Sequence, residues 1–402
     1  MKISRGRYAL LGCAAAALLA GCDGPQPVGA TGTIPKTAAV APGSHFANAA
    51  TTQQYQVLYS FLGATDGANP IAGLFYVKGK LYGTTFTAGA SNAGTIFAVS
   101  MSGIEKVLHN FGGSLDGSGP SAGLIGIKGS LYGTTAYGGA NGFGTVFTIK
   151  SSGKDEAVTH SFGTGDGTDP VASLIRVGGV LYGTTETGGA NNAGTIFTIT
   201  PSGTESVLHS FGGLGDGANP YGSLINVSGE LYGTTRGGGG HNDGTVFGIK
   251  KSGSGETVLH SFTGGGDGKF PLAGLVYVGD VLYGTTHIGG ANGDGTVFGV
   301  TRTGVESVLY SFKSAPDGYD PSAGLTSVGG SLYGTTTHGG VNYLGTVFAI
   351  TPSGAESVIH SFGGTGDGAM PLAGLLNVNG TLYGTTEDGG ANGFGAVFSL
   401  TP

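Results

Sequence analysis

The chain has 402 residues, a net charge of −7 and only 10% charged residues. It carries no basic patch, so nucleic acid is not an expected partner. Its two cysteines, Cys13 and Cys22, both lie near the N-terminus. The remainder therefore has neither a disulfide nor a thiolate metal site, and its stability must come from packing.

The chain opens with an export signal. Lys2, Arg5 and Arg7 form a positive n-region, and Tyr8 to Ala20 is an apolar stretch too short to span a bilayer. It ends in Leu19-Ala20-Gly21-Cys22, which resembles the lipobox of bacterial lipoproteins. That resemblance implies acylation of Cys22, residues 1–22 as the signal, and a lipid anchor in the bacterial cell envelope on the extracytoplasmic side. The competing reading is an ordinary secretory signal cleaved near Ala20. Residues 23–54 are rich in Pro, Ala, Gly and Thr without an apolar period, and read as a flexible linker. Its r.m.s. span is roughly 30 Å.

From Tyr55 to Pro402 the sequence repeats. Leu-Tyr-Gly-Thr-Thr begins at Leu81, Leu131, Leu181, Leu231, Leu282, Leu332 and Leu382, spaced by 50 residues with a single 51. The 86 glycines fall at fixed places within the repeats, so this is not low-complexity disorder. One unit shows the pattern. Glu205 to Phe211 alternates like a strand with two unlike faces; Gly222 to Val227 reads as a buried strand. Leu231 to Thr235 and Thr245 to Ile249 read as two more, with a tight turn at Ser228-Gly229-Glu230 and long loops at 212–220 and 236–244. Four short strands per unit and seven units predict an all-β, seven-bladed β-propeller of four-stranded antiparallel blades. The segment Tyr55–Phe61 copies the outer strand, while Ala396–Leu400 copies the strand before it. Pairing these two closes the ring and leaves no blade edge open.

Leu131 to Thr135, then Gly138-Gly139, then Gly144 to Phe147 resemble the hallmark of the GloVer tandem-repeat family of bacterial surface proteins. The last copy departs from it, with Ala396 in place of Thr. The resemblance implies a propeller-like domain held to the cell by one of several anchors, with no established catalytic activity. Kelch propellers are a looser relative, through a similar period and the Gly-Gly feature.

Residues that recur in all copies belong to the scaffold. Asp66, Asp116, Asp166, Asp216, Asp267, Asp317 and Asp367 each precede Gly. One acidic residue per loop does not make a calcium loop, so each Asp is expected to cap its own turn and no metal is expected. His109, His160, His209, His260 and His360 give way to Tyr59 and Tyr310 in the other copies. Tyr keeps a polar contact but not imidazole basicity, so a structural hydrogen bond is expected there. The paired threonines read as strand-end packing and turn hydrogen bonds. No catalytic motif and no cofactor motif is present.

Strands alternate in direction, so both long loops must lie at one end of each blade. Variable residues collect there, immediately after Leu-Tyr-Gly-Thr-Thr. The candidate ligand-binding residues are Tyr137, Glu186, Arg236, His287, His338, Glu387 and Asp388, with Phe270 and Tyr319 from the Asp-Gly loops. The expected function is a membrane-tethered binding propeller for a glycan, a peptide or an envelope protein. The alternatives are an extracytoplasmic polysaccharide hydrolase or lyase, with Glu186, Glu387, Asp388, His287 and His338 converging at the axis, and a passive structural surface protein.

Overall fold

A computed structural model describes residues 54–112, 115–212, 215–363 and 366–402. The signal, Cys22 and all but the last residue of the expected linker lie outside the described residues. The regular elements described are all strands; most form seven four-stranded antiparallel sheets, and the rest form three two-residue ladders between loops. In the first blade the order is Phe75–Val77, Lys80–Thr85, Thr95–Ser100, Glu105–Asn110. The residues just before each inner strand, among them Gly73, Gly123 and Gly274, line a channel on the ring axis.

The ring closes as the chain ends predict. Gln54–Ser60 pairs with Ala396–Thr401, from Gln54 opposite Thr401 to Ser60 opposite Ala396. It is the outer strand of the seventh blade, in the order 54–60, 396–401, 381–386, 376–378. The inner strand is shorter than expected. Only Ile225–Val227 joins the ladder, not Gly222–Val227. Gly222 instead meets the next blade at the axis, where a Cβ would stand 2.5 Å from the Ala273 carbonyl carbon.

Each residue of Leu-Tyr-Gly-Thr-Thr has a separate task. Leu81 packs into the junction with the preceding blade, beside Phe61 and Val397, and Tyr82 into the next, beside Leu131 and Phe147. Period-two alternation sends these neighbours to opposite faces of the sheet. Gly83 is required for space: a Cβ would lie 2.5 Å from the Phe97 ring, and the same approach recurs at 2.5–2.7 Å in the other six copies. The first threonine reaches the next blade, as Thr234 Oγ1 donates to the Ala273 carbonyl at 2.8 Å. Thr84, Thr285, Thr335 and Thr385 make the equivalent bond, whereas the hydroxyls of Thr134 and Thr184 are buried without a partner. The second threonine ties its own blade, as Thr85 Oγ1 meets Thr95 Oγ1 at 2.9 Å.

Between blades, one phenylalanine packs edge-on against another. Phe61–Phe97, Phe111–Phe147 and their five equivalents have ring centroids 5.0–5.3 Å apart. Such pairs contribute about 0.5–1.5 kcal/mol each beyond the area they bury. Above them sits the repeated aspartate, which caps its loop in all seven copies. It accepts a backbone N–H from Leu62, Gly112, Gly163, Gly212, Thr263, Lys313 or Gly363 at 2.7–3.2 Å. The same carboxylate holds the repeated histidine by Nε2 at 2.7–3.3 Å, or the Tyr59 and Tyr310 hydroxyls at 2.7 Å. The expected structural bond therefore exists, and its partner is the Asp of the following loop.

Candidate functional site at the mouth of the axial channel

The two long loops of every blade are joined by a backbone bridge. It links Ala68 to Thr87, Ser118 to Tyr137, Thr168 to Thr187 and Lys269 to Ile288, and becomes a two-residue ladder at 217–218/237–238, 318–319/338–339 and 368–369/388–389. The long loops thus share one face, as strand alternation requires. A second bond sets the rim. The residue after Leu-Tyr-Gly-Thr-Thr donates its N–H to a loop carbonyl in every copy: Phe86 to Asn69, Ala136 to Gly119, Glu186 to Asp169, Arg236 to Asn219, His287 to Phe270, Thr337 to Asp320 and Glu387 to Met370. All seven acceptors have φ between 54° and 62°. Glycine, Asn and Asp accept that left-handed geometry readily, but Phe270 and Met370 hold it under strain.

Two residues further on, past a repeated proline, the chain reaches the axis. Ile71, Val171, Tyr221, Leu272 and Leu372, with Ser121 and Ser322, enclose a cup of about 150 Å³. The variable series rings this cup. His287 Nδ1 lies 3.2 Å from Ser322 Oγ, and Thr337 Oγ1 donates to the same oxygen at 3.2 Å. Burial lowers the pKa of His287, so the ring is neutral at neutral pH.

The predicted residues fall into two arcs. In the first, Tyr137 is half exposed and meets Phe86 edge-on at 6.5 Å. Glu186 lies 3.7 Å from Arg236, whose guanidinium also stands over the Phe270 ring at 5.9 Å. Burial raises the pKa of Glu186 and Asp169 adds to the rise, while Arg236 opposes them. In the second arc, His338 Nδ1 pairs with Asp320 at 3.1 Å and its ring stacks on Tyr319 at 5.4 Å. Asp388 accepts from Asn69 Nδ2 at 3.4 Å, and burial raises the pKa of both Glu387 and Asp388. Glu186 is on the third blade and Glu387 on the seventh, with two blades between them by the shorter route, and His287 stands between the arcs, under the influence of Arg236 on one side and of Asp320 and His338 on the other. Sequence reading missed Tyr221, Ser322, Asp320, Asp169 and Asn69. The signal was available, since Pro70, Pro120, Pro170, Pro220, Pro271, Pro321 and Pro371 recur and the residues on both sides of each one vary.

The model of the Gloeobacter/Verrucomicrobia repeat matches residues 29–247 and 227–402. The chain belongs to the Gloeobacter/Verrucomicrobia repeat family. No curated protein matches its sequence. Among solved structures, this repeat protein is similar to an oligogalacturonate lyase in complex with manganese, at 12% identity, TM-score 0.56, over 88% of this chain and 94% of the lyase. It is also similar to a putative 6-phosphogluconolactonase from Bacteroides uniformis, at 15% identity, TM-score 0.52, over 76% and 88% of the two chains. At these identities the likeness concerns the fold alone.

Proposed function

We propose that this repeat protein is a lipid-anchored, extracytoplasmic binding propeller of the bacterial cell envelope, and that it takes a glycan at the mouth of its axial channel. One observation carries the reading: the series of residues that diverges among otherwise matching repeats encircles a single apolar cup. Tyr137 and Tyr221 offer exposed aromatic faces for a sugar ring. Glu186 and Arg236 stand beside them as hydrogen-bonding partners for hydroxyl or carboxylate groups. The scaffold is rigid, so little ordering is needed on binding.

On an array of bacterial surface oligosaccharides, the domain should retain a defined set of ligands. Tyr137→Ala and Arg236→Ala should each weaken them about tenfold or more, equivalent to about 1.4 kcal/mol, with the melting temperature nearly unchanged. Equal binding by wild type and both variants would refute the reading. The anchor is tested separately: Cys22→Ala should move the protein from the membrane fraction to the soluble one, and continued membrane retention would refute the lipid tether.

A second reading, a polysaccharide hydrolase or lyase, draws on the Ser322–His287 pair and on the raised pKa values of Glu387 and Asp388 at the same rim. Shortening of any polymer retained on the array would favour it over binding alone.

A further inference from the structure

The repeated Asp–His pair has a third neighbour, contributed from the start of the outer strand of the next blade or the residue just before it. Glu156 stands by His109 and Asp116, Glu205 by His160 and Asp166, and Glu256 by His209 and Asp216. In each group the imidazole nitrogen and the two carboxylate oxygens all lie within 4.8 Å of one another. One oxygen of each of these glutamates, Oε1, is buried and has no hydrogen-bond partner, as is also the case for Glu105, Glu306 and Glu356 at other junctions, so it is the three-ligand grouping that sets these three apart. An orphaned buried carboxylate oxygen is costly and calls for an explanation.

We propose that His109–Asp116–Glu156, His160–Asp166–Glu205 and His209–Asp216–Glu256 are three equivalent sites for a first-row divalent metal ion of the zinc class, each stapling two neighbouring blades. One imidazole and two carboxylates suit zinc or cobalt better than calcium, which takes oxygen ligands only. Tetrahedral bonds of about 2.0–2.1 Å separate ligand atoms by about 3.3 Å. The Nε2-to-Asp distances of 3.2, 2.7 and 3.1 Å in the three groups are within small side-chain adjustments of that value. On binding, the Nε2 proton relocates to Nδ1, and any proton on the glutamate leaves to solvent. The fourth position goes to water, since His and Asp keep about a fifth of their side-chain surface exposed at the first two sites.

The other junctions serve as internal controls. At His260–Asp267–Glu306 the Nε2-to-Asp distance is the longest, 3.3 Å, and Asp267 Oδ1 accepts from the Thr263 hydroxyl at 2.6 Å, where the same oxygen of Asp166 and of Asp216 accepts only a backbone N–H, at 2.7 and 2.6 Å. Tyr59 and Tyr310 replace the histidine at two junctions, and at the last one Tyr55 replaces the glutamate and stacks on His360 at 3.7 Å. The number of sites expected is therefore three.

The test is equilibrium dialysis of the chelator-stripped full chain against Zn²⁺, with bound metal counted by mass spectrometry. Three ions per chain should bind at micromolar free zinc, and the melting temperature should rise with zinc concentration. Glu156→Gln, Glu205→Gln and Glu256→Gln combined should lose all three ions, whereas Glu105→Gln with Glu306→Gln should lose none. Circular dichroism establishes that each variant is folded before it is counted. Co²⁺ on the wild type should give the intense visible bands of a four-coordinate site. No bound zinc, or an equal amount on the triple variant, would overturn the proposal.

Discussion

A chain shortened to begin at Leu62 should lose the cooperative melting transition of the full domain and elute as aggregate rather than monomer. Removing Gln54–Phe61 strips the seventh blade of its outer strand and all six registered residue pairs to 396–401. It also removes Phe61, fully buried against Phe97, Leu74 and Leu81 of the first blade. Phe61→Ala alone should cost about 3–5 kcal/mol. The whole strand adds the tyrosine bonds to Asp66 and Asp367, so its loss approaches the total stability of a typical domain, about 5–15 kcal/mol. The edge laid bare, Ala396–Thr401, is an unpaired strand of high β-propensity, which invites association with a second chain. Size-exclusion chromatography with a thermal melt decides the matter. A monomer melting at the full-length temperature would show that the N-terminal strand does not carry closure.

The second large effect is expected at the glycine of the repeated pentapeptide. Gly233 has no left-handed φ; it is small because Phe247 Cζ would lie 2.7 Å, and Leu224 Cδ2 3.0 Å, from a Cβ placed there. Gly233→Ala should destabilise by about 1–3 kcal/mol through overpacking, and Gly233→Val by more. The cause is specific, so the remedy is too: Phe247→Leu should recover part of the loss in the Gly233→Ala background while being harmful by itself. The double-mutant cycle should therefore show favourable coupling, since the two residues touch. Additive costs in that cycle would rule out the steric account.

Blade count, strand order within a blade and the mode of closure were legible because the seven copies could be compared with one another. So was the capping role of the aspartates, since Asp before Gly has a local turn chemistry that needs no tertiary information. The partner of the histidine was less accessible. His209 and Asp216 are seven residues apart across an irregular loop, and no period places them together. The glutamate that completes each group is further still, about 40 residues away on the next blade, so its neighbourhood exists only after the two consecutive blades have packed together. The inner strand was overextended because Gly222-Ser223-Leu224 has strand-like composition, yet its contacts run around the axis to the next blade.

At the candidate site the divergent series after Leu-Tyr-Gly-Thr-Thr was readable as the place where repetition ends. Its counterpart was not read, although Tyr221 and Ser322 follow repeated prolines in the same manner. The two series are brought together by the bond that joins the long loops, such as Arg236 N–H to the Asn219 carbonyl at 3.0 Å. Once that bond is known, Glu186, Arg236 and Phe270 become one contiguous patch and His287 becomes a neighbour of Ser322.

The separation of scaffold from site is tested most directly by hydrogen–deuterium exchange of the domain with and without its strongest oligosaccharide ligand. Added protection should appear in the segments 86–88, 136–138, 186–188 and 236–238 and in the post-proline residues such as Tyr221, with none at the short turns 78–79 and 101–103 on the opposite face. Protection centred on those turns, or spread evenly over the seven pentapeptides, would contradict the assignment of function to the mouth of the channel.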